Sequence, residues 1–436
     1  MAQNSCHKST DSGSPKTFYI RTFGCQMNVS DSERMVNLLI QDGWEPTDSP
    51  ETANLIIFNT CSVRQHAADR AISNFGALKK LKDKKFIFAG CVAKEKEDEM
   101  FKRFPHLDAL VGPEAIGDIV SVAKRIFSGE KVLATGFLSY PEFSSSFTAY
   151  RLPLTAAVSR FVTIMRGCNN FCSYCIVPHV RGREIYRPKK NIIDEIKYLV
   201  ASGAKEVTLL GQNVNSYPCF PQLLEDLNKI SGLLRIRFMT SHPKDLSDTL
   251  IFAMRDMEKV MEHLHLPLQS GSDRILKAMN RHYTRKDYLS LIEKAKKEVP
   301  CISFTTDLII GYPGETDKDF RDTLKTVKEV RFDGAFSFKY SPRPFTKALE
   351  ATGAVPEEIK TERLDILNRL TKKTAEENKK QKIGKVLEVL SEKKDSGRSR
   401  ENFQVFFNPE TGPGELLKVK ITSASAWSLK GKIISG

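Results

Sequence analysis

Residues 165–175 read MRGCNNFCSYC, and the stretch carries three cysteines with the spacing Cys168-x3-Cys172-x2-Cys175. Three thiolates this close together can surround one metal centre, and thiolates favour zinc, copper(I) or iron–sulfur clusters. A structural zinc site needs a fourth ligand, and His179 lies close enough in sequence to supply one. A four-iron cluster on three cysteines instead leaves one iron open to a small molecule. We expect the open cluster, with zinc as the alternative.

The cysteine loop follows the first strand of a series of alternating strand-like and helix-like patterns. The predicted strands are 161–165, 206–210, 235–239, 263–268, 302–310 and 335–340. Six such units predict an open, partial (β/α)6 barrel, because a complete eight-unit barrel needs about 250 residues. Active sites in these barrels gather at the C-terminal ends of the strands. We therefore expect one pocket lined by Gln212, Asn213, Ser241, Gln269, Asp307, residues 311–315 and Arg343.

A second alternating series runs from Thr17 to about Ser128 and predicts a small, doubly wound parallel-sheet domain. Its strands are predicted at 17–22, 54–58, 85–88 and 109–111, with Ser30 and Asp31 capping a helix over 31–41. Three further cysteines each come just after one of the first three strands: Cys25, Cys61 and Cys91. Strand ends on one edge of a parallel sheet converge. We expect a second three-thiolate centre, with buried core cysteines as the alternative.

The remaining segments complete the predicted domain plan of this α/β chain. Residues 1–15 are polar and Ser-rich and predict a disordered tail. Residues 16–140 form the N-terminal domain, and residues 141–383 hold a linker, the partial barrel and a long charged helix over 357–382. Residues 384–436 show short strands separated by turns, which predicts a small closed β-barrel of OB-like size. We expect Cys6, Cys219 and Cys301 not to be ligands.

Composition and charge restrict the class of protein. The chain has 436 residues, an odd count of nine cysteines and a net charge of +14. No apolar run approaches the roughly 20 residues that cross a bilayer, and the N-terminus has no apolar core of a secretory signal. We therefore expect a cytoplasmic protein that does not enter a membrane, whose clustered cysteines bind metal. The basic excess suits a polyanionic partner, most plausibly nucleic acid.

At these motifs the sequence resembles the methylthiotransferase branch of the radical S-adenosylmethionine (SAM) family. Beside residues 165–175, the resemblance is carried by TFGCQMN at 22–28, NTCSVR at 59–64, GQNVNSY at 211–217, QSGSD at 269–273 and SPRP at 341–344. It extends from about Lys16 to Gly431. The GCQMN run is the feature that points to this branch.

The resemblance implies two [4Fe-4S] clusters. The cluster on Cys168, Cys172 and Cys175 would bind SAM, with Tyr174 and the strand-end residues as SAM contacts. One SAM would give a 5′-deoxyadenosyl radical that activates C2 of N6-isopentenyladenosine next to the anticodon of tRNA. The auxiliary cluster, on Cys25, Cys61 and Cys91, would hold the sulfur, and a second SAM would donate the methyl group.

The C-terminal strands resemble a TRAM domain, an RNA-binding module, with Arg398, Arg400, Asn402 and Lys430-Gly431 as the residues that align. The implied partners are a tRNA anticodon stem-loop, an electron donor such as flavodoxin or ferredoxin, and an iron–sulfur carrier, with the chain a monomer. Two alternatives stay open. Relatives modify threonylcarbamoyladenosine in tRNA or an aspartate of a ribosomal protein, and a non-catalytic RNA-binding protein with structural zinc would also be basic.

Overall fold

The computed structural model describes residues 16–63, 65–137 and 157–434, so the predicted tail and most of the predicted linker lie outside the described residues. The chain divides into two compact units. The first comprises Met1–Gly24 with Asp31–Gly136, and the second comprises Cys25–Ser30 with Phe137–Gly436. The domain limits read from the sequence stay predictions.

The first unit is a parallel sheet with helices on both faces. Its six strands follow the order β2-β1-β3-β4-β5-β6. The strands are β1 Thr17–Phe23, β2 Glu45–Pro46, β3 Leu55–Thr60, β4 Lys85–Gly90, β5 Ala109–Val111 and β6 Val132–Ala134. Along β3, Leu55 and Ile57 enter one apolar core, whereas Ile56 and Phe58 enter another. Side chains alternate across a strand, so both faces are covered, and the doubly wound prediction is confirmed.

The first helix of this unit begins earlier than the sequence predicts. They are α1 Gln26–Gln41, α2 Gln65–Ala77, α3 Cys91–Glu95, α4 Glu97–Arg103 and α5 Ile119–Phe127. The predicted cap at Ser30 and Asp31 is wrong, because α1 has already begun there. The Cys25 carbonyl accepts the amides of Asn28 and Val29 at 3.0 and 3.2 Å, which closes the first turn earlier. Ser30 Oγ lies 3.1 Å from Thr163 Oγ1 instead of capping a helix.

The second unit contains the predicted partial barrel. Two parallel three-stranded sheets, β7-β10-β11 and β12-β13-β14, are joined by a bridge between Ile236 and Val260. The strands are β7 Ser159–Thr163, β8 Met165–Arg166, β9 Ile185–Tyr186, β10 Glu206–Leu210, β11 Arg235–Met239, β12 His263–His265, β13 Ser303–Ile310 and β14 Gly334–Lys339. Six parallel strands in chain order confirm the open (β/α)6 architecture. The short β8 and β9 form a separate hairpin beside the cysteine loop.

Helices cover the outside of this partial barrel. They are α6 Val177–Arg181, α7 Lys189–Ala201, α8 Phe220–Asn228, α9 Asp248–Asp256, α10 Asp273–Ala278, α11 Arg285–Glu298, α12 Asp317–Val330 and α13 Glu357–Lys380. Outward residues such as Val207, Leu209 and Phe238 join the helices in one large apolar core. The other side of each strand faces the lumen, which leaves the strand ends free to carry polar groups. None of the described helices combines the length and apolar character that a bilayer crossing requires.

The C-terminal residues form a closed five-stranded barrel, as predicted. Its strands are β15 Val386–Lys393, β16 Ser396–Ser399, β17 Gln404–Asn408, β18 Leu416–Ala424 and β19 Ser428–Ile433, closed in the order β15-β16-β17-β19-β18. Val389, Val405 and Val419 are fully buried inside it. The sequence analysis did not predict the four-residue β16.

Candidate functional site

The loop that carries Cys168, Cys172 and Cys175 is held by the chain segment that follows α10. The Ser173 amide donates to the Met279 carbonyl at 3.1 Å, and Ser173 Oγ donates to the Ala278 carbonyl at 2.8 Å. Asn280 Nδ2 donates to the Phe171 carbonyl at 3.1 Å. Backbone polar groups of the loop are therefore satisfied by fixed partners, and the loop has a defined shape.

Gly167 makes the close approach at the start of this loop possible. Its φ is +73°, and a Cβ added there would lie 1.9 Å from the Arg183 carbonyl oxygen. The next amide, of Cys168, donates to the Gly182 carbonyl at 3.1 Å. Only glycine combines this positive φ with so little space. The residue before the first cysteine is thus fixed by geometry.

The three thiols of the loop share one electrostatic neighbourhood. Burial raises the pKa of Cys168 to about 11, and the nearby Cys172 adds to the rise. Burial also raises the pKa of Cys175 to about 12, with further contributions from Cys172 and Cys168. Negative thiolates in such a place need a positive partner, which a metal centre supplies. The donor set therefore fits an iron–sulfur cluster bound through three sulfurs.

The described residues contain no group of three or more Cys, His, Asp or Glu side chains already closed around one point as metal ligands. His179, the zinc ligand considered above, packs its ring 5.9 Å from that of Phe345. The assignment of the first centre accordingly rests on donor chemistry and loop position.

Arg281 is a site residue that the sequence analysis missed. Its Nη1 donates to Cys172 Sγ at 3.4 Å, Nη2 donates to the Pro267 carbonyl at 3.0 Å, and Nε donates to Tyr283 Oη at 2.9 Å. Burial disfavours its charged form, but Tyr283, Tyr174 and Cys172 outweigh that effect and hold the pKa of Arg281 well above its usual value. A permanent cation thus faces the Cys172 sulfur.

Strand-end residues after β10 and β11 present buried polar atoms that lack a protein partner. Gln212 Oε1, Asn213 Oδ1 and Ser241 Oγ are all buried and form no hydrogen bond with the described residues. Asn213 is oriented through Nδ2, which donates to Asp245 Oδ2 at 2.7 Å. Buried polar atoms are nearly always satisfied, so these three predict a polar ligand, and SAM carries the amino, carboxylate and hydroxyl groups to satisfy them.

The remaining pocket residues belong to the second sheet, with Asp307 inside β13 and with Gln269 and Arg343 in the segments that follow β12 and β14. Gln269 has φ +67°, and its amide donates to the Asp307 carbonyl at 2.9 Å. Asp307 Oδ2 lies 3.5 Å from His265 Nε2. Arg343 is only 6% exposed. Tyr174 lies in the cysteine loop, where burial raises the pKa of its hydroxyl well above the usual value. The SAM contacts of these residues stay predictions.

Residues 311–315, expected to line the pocket, also make contacts that the sequence analysis did not predict. Glu315 Oε1 accepts from the Gly311 amide at 3.0 Å and from Arg363 Nη1, on α13, at 2.7 Å. Tyr312 Oη lies 2.8 Å from Ser173 Oγ. The segment therefore ties α13 and the cysteine loop to the barrel.

His242 is a second residue that sequence reasoning missed. Its Nδ1 accepts from the Lys244 amide at 3.2 Å, whereas its buried Nε2 has no partner among the described residues. Burial lowers the pKa of His242 to about 2, with a further contribution from Arg281, so the ring is neutral. The signal available in the sequence was its place directly after Ser241 at a predicted strand end.

Cys25, Cys61 and Cys91 follow three strands of the parallel six-stranded sheet whose ends are in register. Phe23 on β1 is in register with Thr60 on β3, which is in register with Gly90 on β4. Cys61 and Cys91 directly follow two of these strands and are 1% and 2% exposed. Cys25 comes two residues after Phe23, and its Sγ lies 3.3 Å from Asn28 Oδ1. Cys219 and Cys301 are exposed, and Cys6 lies outside the described residues.

Residues proposed to contact RNA in the C-terminal barrel have protein partners. Arg400 Nη2 lies 2.6 Å from Glu262 Oε1, and Arg398 Nε lies 3.3 Å from Glu392 Oε1. Asn402 Oδ1 accepts from Arg398 at 3.3 Å. Lys430 remains exposed on β19. Arg398 and Arg400 thus hold the fold together, and the exposed lysines are better placed for an outside partner.

Comparison with known proteins agrees with this geometry. The family model described as the radical SAM superfamily matches residues 162–327, and the model described as uncharacterized protein family UPF0004 matches residues 17–112. Among solved structures, the radical S-adenosylmethionine methyltransferase TsrM from Kitasatospora setae, with cobalamin and a [4Fe-4S] cluster bound, has a TM-score of 0.58 at 13% identity and covers 77% of this chain and 74% of its own. At that identity the likeness supports the fold alone.

Two curated relatives are similar over almost their whole length. The tRNA-2-methylthio-N(6)-dimethylallyladenosine synthase of Caldicellulosiruptor saccharolyticus is 47% identical over 97% of this chain and 93% of its own. The enzyme of the same name from Carboxydothermus hydrogenoformans is 44% identical over 96% of this chain and 99% of its own. The chain therefore belongs to the tRNA-2-methylthio-N(6)-dimethylallyladenosine synthase family of radical SAM enzymes.

Proposed function

We propose that the protein methylthiolates C2 of N6-isopentenyladenosine next to the anticodon of tRNA. The observation that carries this function is the cysteine loop of the partial barrel, together with the buried polar atoms of Gln212, Asn213 and Ser241, which have no hydrogen-bond partner among the described residues. The family relationship supplies the reaction class. When bound, the cluster and SAM supply the radical that removes the C2 hydrogen, and a second SAM supplies the methyl group.

The residues of the chain bind, orient and exclude water. Cys168, Cys172 and Cys175 provide the three sulfur ligands of the first cluster. Gln212, Asn213 and Ser241 would form hydrogen bonds with the polar parts of SAM, and Gln269, after β12, and Asp307, in β13, would add further contacts. Holding SAM and base in a dry pocket replaces a bimolecular encounter with a fixed geometry, which is the main contribution a protein makes in such a reaction.

We assign the auxiliary cluster to Cys25, Cys61 and Cys91. Support comes from the ends of β1, β3 and β4, which are in register. Further support comes from Gly90, which directly precedes Cys91 and has a φ of +91°. A Cβ at Gly90 would lie 2.4 Å from the Thr60 carbonyl oxygen. Glycine therefore lets two neighbouring strand ends approach closely just before their cysteines. This cluster is the proposed source of the transferred sulfur.

The outer face of the C-terminal barrel is the proposed tRNA surface. Lys432 on β19 is in register with Lys420 on β18 and with Asn408 on β17, and Lys430 is in register with Phe406. All of these side chains point outward and are exposed. Neither Lys420 nor Lys430 nor Lys432 has a carboxylate within ion-pair distance among the described residues. Trp427, which directly precedes β19 and is 75% exposed, offers an aromatic surface for stacking on a base.

The surroundings of the reaction follow from its chemistry. The first cluster needs one-electron reduction, which we assign to a donor such as flavodoxin or ferredoxin, and an iron–sulfur carrier would restore the sulfur that is consumed. Thiolate-bound clusters persist in a reducing compartment, so we propose a cytoplasmic enzyme. We propose that it acts as a monomer.

A deletion strain tests the function directly. Nucleosides from its tRNA, analysed by mass spectrometry, are expected to lack 2-methylthio-N6-isopentenyladenosine and to accumulate N6-isopentenyladenosine. A plasmid with the wild-type gene is expected to restore the modification, and one that encodes Cys172→Ala is not. If the methylthio-isopentenyl nucleoside is unchanged while a threonylcarbamoyl nucleoside loses its methylthio group, the substrate is the alternative one.

A further inference from the structure

Arg281 is a buried cation whose negative partner is not a carboxylate. The side chain lies three residues after α10, and the residue is 4% exposed. Within the described ranges no Asp or Glu lies within ion-pair distance of its guanidinium. An unpaired buried charge is strongly destabilising, so a residue of this kind needs a compensating negative charge. Among the described residues, the sulfur of Cys172 lies 3.4 Å from Arg281 Nη1 and can carry that charge.

The guanidinium is fixed in direction as well as in depth. Nε donates to Tyr283 Oη at 2.9 Å and Nη2 donates to the Pro267 carbonyl at 3.0 Å, which leaves Nη1 aimed at Cys172 Sγ at 3.4 Å. Arg281 also lies 5.2 Å from the centre of the Tyr283 ring. The same chain segment holds the cysteine loop through Met279 and Asn280. The donor and the sulfur therefore keep their relative positions.

A fixed cation beside a cluster ligand has a physical consequence for electron uptake. Reduction adds one electron and one negative charge to the cluster, with no bond made or broken, and the electron comes from the external flavin or iron–sulfur donor. A nearby positive charge and an N–H···S hydrogen bond stabilise the more negative state more than the oxidised one. Hydrogen bonds to sulfur, net charge and solvent exposure are the terms that set the reduction potential of such clusters.

We propose that Arg281 is a positioning residue that raises the reduction potential of the cluster on Cys168, Cys172 and Cys175 by holding a cation and an N–H donor against the Cys172 sulfur. The inference rests on the proposed function for the presence of that cluster. It gives a role to a residue outside the cysteine motif. Arg281 acts through its contact with Cys172, which lies 109 positions earlier in the sequence. The easier reduction brings the cluster within reach of a physiological donor.

The test is a redox titration of the reconstituted full-length protein followed by electron paramagnetic resonance, with the variants Arg281→Gln and Arg281→Lys. At a fixed potential near the wild-type midpoint, Arg281→Gln is expected to lower the ratio of reduced to oxidised cluster about tenfold, which for one electron is about 59 mV. Arg281→Lys keeps the charge but loses the planar arrangement of N–H donors. Its ratio of reduced to oxidised cluster is expected to fall between those of the wild type and Arg281→Gln.

Tyr283→Phe is the matched control, because it removes one contact of Arg281 and leaves its charge. It is expected to shift the potential less than Arg281→Lys does. A wild-type potential in Arg281→Gln with a weaker dissociation constant for SAM would overturn the proposal and assign Arg281 to SAM binding. Loss of iron in both Arg281 variants would overturn it in favour of a purely structural role. If Arg281→Gln loses iron and Arg281→Lys does not, a reduction potential in Arg281→Lys equal to that of the wild type would overturn the proposal.

Discussion

At the residue scale, the two cysteine groups share a feature that the sequence shows but does not explain. Gly90 and Gly167 directly precede Cys91 and Cys168, each with a positive φ. In each case a Cβ would collide with a backbone carbonyl oxygen, at 2.4 Å for Gly90 and 1.9 Å for Gly167. A Gly-Cys pair is visible in the sequence, but the carbonyl that excludes a side chain comes from a residue the pattern cannot locate.

Replacing Gly167 with alanine is expected to disrupt the cysteine loop. The alanine Cβ would overlap the Arg183 carbonyl, so the backbone must move away. We expect Gly167→Ala to lose the first cluster, which lowers the iron of the reconstituted protein from roughly eight to roughly four atoms per chain. Iron and sulfide analysis after anaerobic reconstitution measures the change.

Gly203→Ala is the control, because Gly203 also has a positive φ, +102°, but has open space around it. It should cost about 1–2 kcal/mol of stability through backbone strain and retain its iron. Equal iron in Gly167→Ala and the wild type would contradict the geometry described for the loop.

The sequence could predict a site residue when the residues that act with it lie close by in sequence. Three cysteines within eight positions predict a metal site by their spacing alone. The strand-end residues were predicted from the general rule that active sites of barrel folds lie at the C-terminal ends of the strands. Arg281 has no such signal, because its contact with Cys172 depends on how the segment after α10 folds back on the loop. The neutral state of the His242 ring could not be predicted either, because it results from burial in the folded chain.

At the element scale, a helix start that has a local signal can be read from the sequence. α11 and α12 begin after Thr284 and Thr316, where the threonine and an aspartate three residues later form a capping box. Such a signal is contained within four residues. α1 lacks it, and its start is set by the turn after Gly24, so the cap expected at Ser30 was wrong. Strand β16 was missed because only pairing with β15 and β17 defines it.

The outer face of β18 and β19 makes a prediction about tRNA binding. The double variant Lys420→Gln/Lys432→Gln removes two exposed charges that are in register. We expect tRNA affinity to fall about tenfold and the slope of log affinity against log salt to decrease by roughly one to two, because each lysine releases about one counterion on binding phosphate. Fluorescence anisotropy with tRNA at several salt concentrations measures both quantities.

The matched control changes the same number of lysines elsewhere. Lys190 and Lys229 are exposed on α7 and just after α8, and they pair with Asp194 and Glu225. Lys190→Gln/Lys229→Gln is expected to leave tRNA affinity and its salt dependence unchanged. Equal losses in the two double variants would mean that the C-terminal barrel has no special part in tRNA binding.

At the scale of the whole molecule, net charge alone could not say where positive residues act. The chain carries a net charge of +14, yet several arginines are buried in the second unit. Arg237 Nε donates to Glu206 at 2.8 Å and its Nη2 donates to the Ser399 carbonyl at 2.7 Å, while Arg235 Nη1 donates to the Arg398 carbonyl at 2.6 Å. These arginines join the partial barrel to the C-terminal barrel, so their charges are not available to tRNA.

The architecture was predictable because strand and helix periods repeat along the chain, and six parallel strands follow one another in sequence order. The contact between the two three-stranded sheets was not predictable, because it is made by an isolated bridge from Ile236 to Val260 instead of a regular ladder. The contacts of the C-terminal barrel with Arg235 and Arg237 likewise join residues more than a hundred positions apart. Pairings of that range leave no periodic trace in a sequence.

The central claim is tested most directly by turnover of the anaerobically reconstituted protein with prenylated tRNA and SAM labelled in its methyl group. The account predicts 2-methylthio-N6-isopentenyladenosine that carries the label, formed together with 5′-deoxyadenosine, and neither product from Cys172→Ala. Labelled nucleoside from Cys172→Ala, or 5′-deoxyadenosine from the wild type with no methylthio group on the prenylated adenosine, would contradict it.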